Sequence, residues 1–277
     1  MRLARMRTSE GPRVVVSLDG VTFLSPFETF GTAFAAGILE NPGEHAVAEI
    51  SAPVEVSLLP AADPVSKVIC VGHNYRDHIL ELGHPLPEYP NVFSKFPEAL
   101  VGPADPIVLS PEAKAWDWEA ELALVIGRRA RRVSPREAGA FIAGYTVAND
   151  VSARDWQRRG TQWLLGKTFE RTTPIGPWIV AGTVVDPRDG LTVTCSVDGV
   201  EKQRASTKDL VFPPDVLVSY LSHVLALRPG DIVLTGTPGG VGVARQPAEF
   251  LAPGSVVVTT VSELGTLRNV CVEADVH

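Results

Sequence analysis

Glu119 and Glu121 stand two residues apart at the head of an apolar run, Leu122-Ala123-Leu124-Val125-Ile126. In an extended backbone, residues i and i+2 share a face. The two carboxylates therefore project together, while Ala120, Leu122, Leu124 and Ile126 face the other way. Two acids a few ångströms apart on a half-buried strand repel each other, so one takes up a proton or a cation sits between them. The plainer alternative is an exposed edge with solvated acids, and the apolar run argues against it. Asp150 follows the strand-like Tyr145-Thr146-Val147-Ala148 and is placed to be a third carboxylate. Three carboxylates without sulfur select a hard divalent cation, Mg²⁺ or Mn²⁺ ahead of Ca²⁺, whereas zinc ordinarily wants histidine or cysteine.

Other segments carry weaker signals. Asn74 is a candidate N-cap for a short helix with Asp77 in its first turn and Gly83 at its end. On that helix His78 and Glu81 are three apart and neighbours, an arrangement that orients an imidazole and activates water. From spacing alone a surface ion pair is the commoner meaning. The proline-rich stretch that follows, His84 to Pro90, makes the region a candidate lid. Lys167 lies in the apolar context Trp163-Leu164-Leu165-Gly166-Lys167. A lone lysine is usually a solvated charge, so this one matters only in company. Ile232-Val233-Leu234 runs into Thr235-Gly236-Thr237-Pro238-Gly239-Gly240, a glycine-rich loop able to offer N–H groups and a hydroxyl to an anion. It contains neither a P-loop nor a dinucleotide fingerprint.

Positioning these residues requires a sizeable fold, and 277 residues with 45% hydrophobic and 21% charged side chains suffice for one large α/β or β-rich domain, or for a large domain with a small N-terminal one. Strand candidates at 2–7, 13–18 and 21–24 are separated by Glu10-Gly11-Pro12 and the hairpin signal Asp19-Gly20. A helix is expected over 27–39, and a Pro/Ala-rich linker over 59–64. Ser134-Pro135-Arg136-Glu137 reads as a capping box, with Gly144 expected to close the helix. Residues 214–227 form an amphipathic pattern. The net charge of −7 disfavours nucleic acid and anionic membranes as partners. The basic run Arg128 to Arg132 reads as a solvated turn. Cys70, Cys195 and Cys271 have no metal-ligand spacing and are expected to be buried in a reducing compartment. No signal peptide or bilayer-spanning run is expected, and the setting that follows is cytoplasmic.

In this order the segments resemble the fumarylacetoacetate hydrolase family. The resemblance covers about residues 67–277, through Lys67 to Tyr75, the His78/Glu81 helix, Trp118 to Gly127, Asn149 to Asp155, Lys167 to Phe169 and Gly230 to Gly242. It implies an α+β, β-rich fold: a mixed β-sandwich roll, with residues 1–60 loosely similar to a small N-terminal α/β accessory domain, in a homodimer. It also implies that Glu119, Glu121 and Asp150 hold the metal, that His78 and Glu81 form the water-activating lid dyad, and that Lys167, Gln157 and Thr237 contact the substrate's carboxylate and oxo groups. Arg154 matches a recurrent arginine of the Asp150 motif and is grouped with the substrate-binding residues without a fixed role. His73 stands where many relatives carry arginine or an apolar residue, which affects substrate choice. The expected function is metal-dependent hydrolysis of a C–C bond in a β-diketo acid, an acylpyruvate or fumarylacetoacetate-like substrate, through a metal-stabilised enolate. Oxaloacetate decarboxylation and dienoate isomerisation or hydration are the alternatives, followed by a non-catalytic small-acid binder.

Overall fold

A computed structural model describes residues 1–51, 57–64, 67–81 and 85–274, and the side chains of His78 and Glu81 lie outside that description, as does Gly83. Among the described residues eleven strands form one mixed sheet. Its central strand is Ala120–Ile126, the run that follows Glu119. On one side it pairs antiparallel with Ile142–Asn149, and on the other with Ile232–Leu234. The latter runs parallel to Val68–Gly72, which carries the edge strand Asn91–Lys95. A five-stranded sheet in the order Val200–Ser206, Thr192–Val197, Val256–Val261, Gly265–Glu273 and Ile107–Leu109 completes the expected β-rich α+β architecture.

The central strand is buried on both faces, which differs from the half-buried strand expected. Ala120, Leu122, Leu124 and Ile126 pack into a core shared with Val193, Val257 and Leu267 of the smaller sheet and with Leu217 and Leu221 of the helix Pro214–Val224. Ala123 and Val125 point the opposite way, into a second core with Ile175, Ile179, Phe30, Phe34 and Val16. The acids at the head of this strand therefore start from a fully desolvated element, which sharpens the need for compensating charge.

Residues 2–50 extend the same large sheet. Arg2–Thr8 and Gly11–Leu18 form an antiparallel pair, and Leu3 pairs with Ile179 of the strand Thr173–Ala181. The Asp19-Gly20 turn takes positive φ at both residues (50° and 86°), the geometry that a tight hairpin between Leu18 and Val21 demands. The first helix is shorter than expected, Phe30–Ala35: Thr29 and Asp63, which accepts from the N–H groups of Phe30 and Gly31 at 2.7 Å, fix its start, and Gly37 at φ +86° turns the chain out of it. The capping box at Ser134 and Glu137 forms, but Gly144 does not close its helix. Gly144 lies in the strand Ile142–Asn149, where a Cβ would come 2.1 Å from the Val180 carbonyl oxygen, so strand packing and not helix termination requires the glycine. Among the described residues no helix is long and apolar enough to cross a membrane. All three cysteines are free and buried.

Candidate active site

Antiparallel pairing brings the three acids together. Ala120 faces Asn149 across the ladder, so Glu119 and Asp150 lie just beyond the same end of the two strands. The Glu119 N–H donates to the Asn149 side-chain oxygen at 2.9 Å, and the Asp150 N–H donates to the Glu119 carbonyl at 2.8 Å. One oxygen from each of Glu119, Glu121 and Asp150 lies within 4.8 Å of the others, and all three residues are buried.

Cations offset part of this charge. Lys167, at the end of the helical turn Leu164–Lys167, places Nζ 2.6 Å from Glu119 Oε2 and 2.8 Å from Asp150 Oδ2. Lys95 reaches Asp150 Oδ1 at 2.5 Å and the Val151 carbonyl at 3.2 Å. Burial alone would raise the Asp150 carboxyl, yet Lys167 and Lys95 outweigh it and hold the group below its usual range. Burial likewise disfavours the Lys167 ammonium, but Asp150 and Glu119 overcome it and raise its pKa, which favours the charged form.

Glu121 differs. Its Oε2 accepts the Gly236 N–H at 2.6 Å, and among the described residues no lysine or arginine pairs with it. Burial, followed by repulsion from Asp150 and Glu119, pushes its carboxyl well above the ordinary value. A buried carboxylate beside two others and without a cation of its own fits a divalent ion with oxygen preference. Glu119, Glu121 and Asp150 can thus hold a divalent metal.

Arg154 fixes the outer side of the cluster. It donates from Nε to Asp117 Oδ2 at 2.8 Å and from Nη1 to Gln157 at 3.0 Å, and lies 2.6 Å from Glu119 Oε1. Asp117 is fully buried and accepts the N–H groups of Trp118, Gly242 and Val243. The glycine loop is held by Gln203, which accepts the Ala120 N–H and donates to Thr237 Oγ1 and the Pro238 carbonyl. Gly236 has φ +103°, and a Cβ there would come 2.9 Å from both the Asn74 Cβ and the Val71 carbonyl. Asn74 is not the expected helix cap. Its buried amide joins Phe212 and Thr235 through three hydrogen bonds, pinning the chain beside the loop.

A cleft of about 570 Å³ opens onto this cluster and is lined by Glu119, Lys167, Arg154, Gln157 and Thr237. Its aromatic wall is Phe93, Trp163 and His73, with ring centroids 5.4 Å and 5.6 Å from Trp163. His78 and Glu81 occupy the helix Arg76–Glu81, while their side chains lie outside the described residues. Lys95, Asp117, Asn149 and Gln203 were not singled out by the sequence reasoning. Asp117, an acid between Trp116 and Trp118, was the one with a visible signal; Lys95 carries none in the sequence.

Residues 67–272 match the family described as the fumarylacetoacetate (FAA) hydrolase C-terminal domain. The chain is 48% identical over 218 residues to the mitochondrial oxaloacetate tautomerase FAHD2A of Bos taurus, covering 78% of this chain and 69% of that protein. The human oxaloacetate tautomerase FAHD2A is 46% identical over the same shares. Among solved structures it resembles the 5-carboxymethyl-2-hydroxymuconate delta-isomerase of Mycobacterium smegmatis (TM-score 0.81, 36% identity, 99% of this chain and 100% of that one). It also resembles a fumarylacetoacetate hydrolase from psychrophilic Exiguobacterium antarcticum (TM-score 0.87, 29% identity, with the same coverage). The chain is an enzyme of the fumarylacetoacetate hydrolase family.

Proposed function

We propose that this enzyme moves a proton at the carbon next to the oxo group of a small 2-oxo acid, and that its substrate is oxaloacetate, interconverted between enol and keto forms. The 48% identity to an oxaloacetate tautomerase carries this reading, and the polar and cationic lining of the cleft supports it. Negative charge grows on the 2-oxygen as the neighbouring carbon loses its proton. A divalent cation held by Glu119, Glu121 and Asp150, with Mg²⁺ or Mn²⁺ proposed, would stabilise that charge. Lys167 lines the cleft as an ammonium and adds positive potential that needs no reorganisation during the reaction. Arg154, clamped by Asp117, holds the Glu119 carboxylate in place, and Gln157 and Thr237 present polar groups for orienting the acid. His78 and Glu81 are the proposed pair for moving the proton. C–C hydrolysis of an acylpyruvate would also require a positioned water, and oxaloacetate decarboxylation would require loss of the distal carboxylate. A homodimer and a cytoplasmic setting belong to the same proposal.

The test is a substrate panel with metal present. Enol-oxaloacetate diluted into buffer is followed by loss of its ultraviolet absorbance, beside pyruvate release from oxaloacetate and cleavage of acetopyruvate. Acceleration of enol loss well beyond the other two activities is expected. Efficient acetopyruvate cleavage without acceleration of enol loss would replace this reading with the hydrolase.

A further inference from the structure

Three lysine or arginine side chains line the cleft among the described residues: Arg154, Arg158 and Lys167. Two are already committed to protein carboxylates. Arg154 is engaged by Asp117, Glu119 and Gln157, and Lys167 by Glu119 and Asp150. Arg158 is exposed, and among the described residues its guanidinium has no hydrogen bond or ion pair. Its backbone caps the helical turn Arg154–Gln157, donating to the Arg154 carbonyl at 3.2 Å. Arg154 and Arg158 are thus i and i+4 on one turn, about 5–6 Å apart at their Cβ atoms, with Arg158 the outer member. Its neighbour Arg159 is diverted from the cleft by stacking on Trp156, 3.6 Å from the ring centroid.

We infer that Arg158 receives the second carboxylate of a four-carbon 2-oxo diacid and makes the cleft select diacids over monoacids of equal length. This rests on the reading of the cleft as a 2-oxo acid site. An unpaired arginine at a rim is ordinarily just solvated, and the rest of the lining decides between the two meanings. The wall beyond the cluster includes Phe93, Trp163, Val241, Val243 and Ala244, which offer a carboxylate no charge-assisted hydrogen bond. Arg154 and Lys167 already lie against protein carboxylates, so among the described lining residues the guanidinium left without a protein partner for a diacid's far carboxylate is that of Arg158. A monoacid ending in a methyl group gains nothing there.

The experiment compares oxaloacetate with 2-oxobutanoate, which has the same chain length and a terminal methyl, by calorimetric titration of the full-length protein loaded with Mg²⁺. Wild type, Arg158→Ala and Arg158→Lys are measured, with KM and kcat for enol-oxaloacetate alongside. One charge-assisted hydrogen bond predicts that wild type favours the diacid by roughly tenfold to a hundredfold. Arg158→Ala is expected to erase that preference while leaving 2-oxobutanoate binding unchanged, Arg158→Lys to restore part of it, and the activity loss to fall on KM more than on kcat. Retention of the diacid preference in Arg158→Ala, or equal binding of the two acids by wild type, overturns the assignment of Arg158 and leaves the 2-oxo acid reading standing. Failure of both acids to bind the metal-loaded wild type overturns both.

Discussion

Lys95→Met tests the charge balance on which the site depends. The Lys95 side chain is fully buried, and its ammonium lies 2.5 Å from an equally buried Asp150 oxygen. Methionine keeps the approximate shape and removes the charge. Around the triad, Lys95, Arg154 and Lys167 face Asp117, Glu119, Glu121 and Asp150, and the raised Glu121 carboxyl brings the metal-free cluster near neutrality. Removing one partner of a buried pair costs about 3–5 kcal/mol. In EDTA the variant should therefore melt roughly 6–20 °C below wild type, at about 2–4 °C per kcal/mol for a chain of this size class. A divalent ion in the triad replaces part of the lost positive charge, so saturating Mg²⁺ should narrow the gap. Circular-dichroism melts of both proteins in EDTA and in Mg²⁺ measure all four midpoints. Equal midpoints in EDTA would show that Lys95 does not balance the cluster, and a gap unchanged by Mg²⁺ would show that the cation does not bind beside Asp150.

Asn74→Ala removes three hydrogen bonds from a fully buried amide and leaves the Phe212 and Thr235 carbonyls and the Phe212 N–H short of partners. It should cost about 2–4 kcal/mol in urea unfolding; a loss under 1 kcal/mol would mean the amide does not pin the loop. Gly72→Ala puts a Cβ 2.5 Å from the Trp163 ring, so the ring must move. Because Trp163 walls the cleft, KM for oxaloacetate should change several-fold, and an unchanged KM would show that this wall does not touch substrate. His78→Ala should lower any acylpyruvate cleavage by about 10²–10⁴-fold if histidine is the base for water attack, with decarboxylation less affected. Equal losses would assign His78 to substrate orientation.

Much of the site was legible because strand geometry is simple. A period of two puts Glu119 and Glu121 together whatever surrounds them, and an acid directly after a strand, as at Asp150, falls at the strand's end. The Asp19-Gly20 hairpin was equally local. What escaped depended on tertiary position. Lys95 lies in a short edge strand whose lysine, read alone, looks solvated, and only the sheet order shows that it ends inside, against Asp150. Gly144 looked like a helix stop because it follows a capping box, yet its constraint comes from Val180 on the adjacent strand. Asn74 followed capping preference in sequence, while its amide faces Phe212 and Thr235, more than 100 residues away. Burial of both faces of Ala120–Ile126 was legible in the unbroken apolar run from Leu122 to Ile126, since a half-buried strand alternates, but the paired acids at its head favoured the half-buried reading.

We propose that Glu119, Glu121 and Asp150 hold a divalent cation needed for chemistry on a 2-oxo acid. Because burial and the neighbouring carboxylates raise the Glu121 carboxyl, metal affinity should rise with pH through its titration. The most direct measurement is Mn²⁺ binding followed by paramagnetic resonance, with enol-oxaloacetate turnover measured in the same samples, for wild type and Glu121→Gln. Wild type should bind one Mn²⁺ per chain, more tightly as pH rises, lose turnover in EDTA and regain it on adding Mn²⁺, while Glu121→Gln should lose both tight binding and turnover. Full turnover by wild type in EDTA, or unaltered Mn²⁺ binding by Glu121→Gln, would contradict the account.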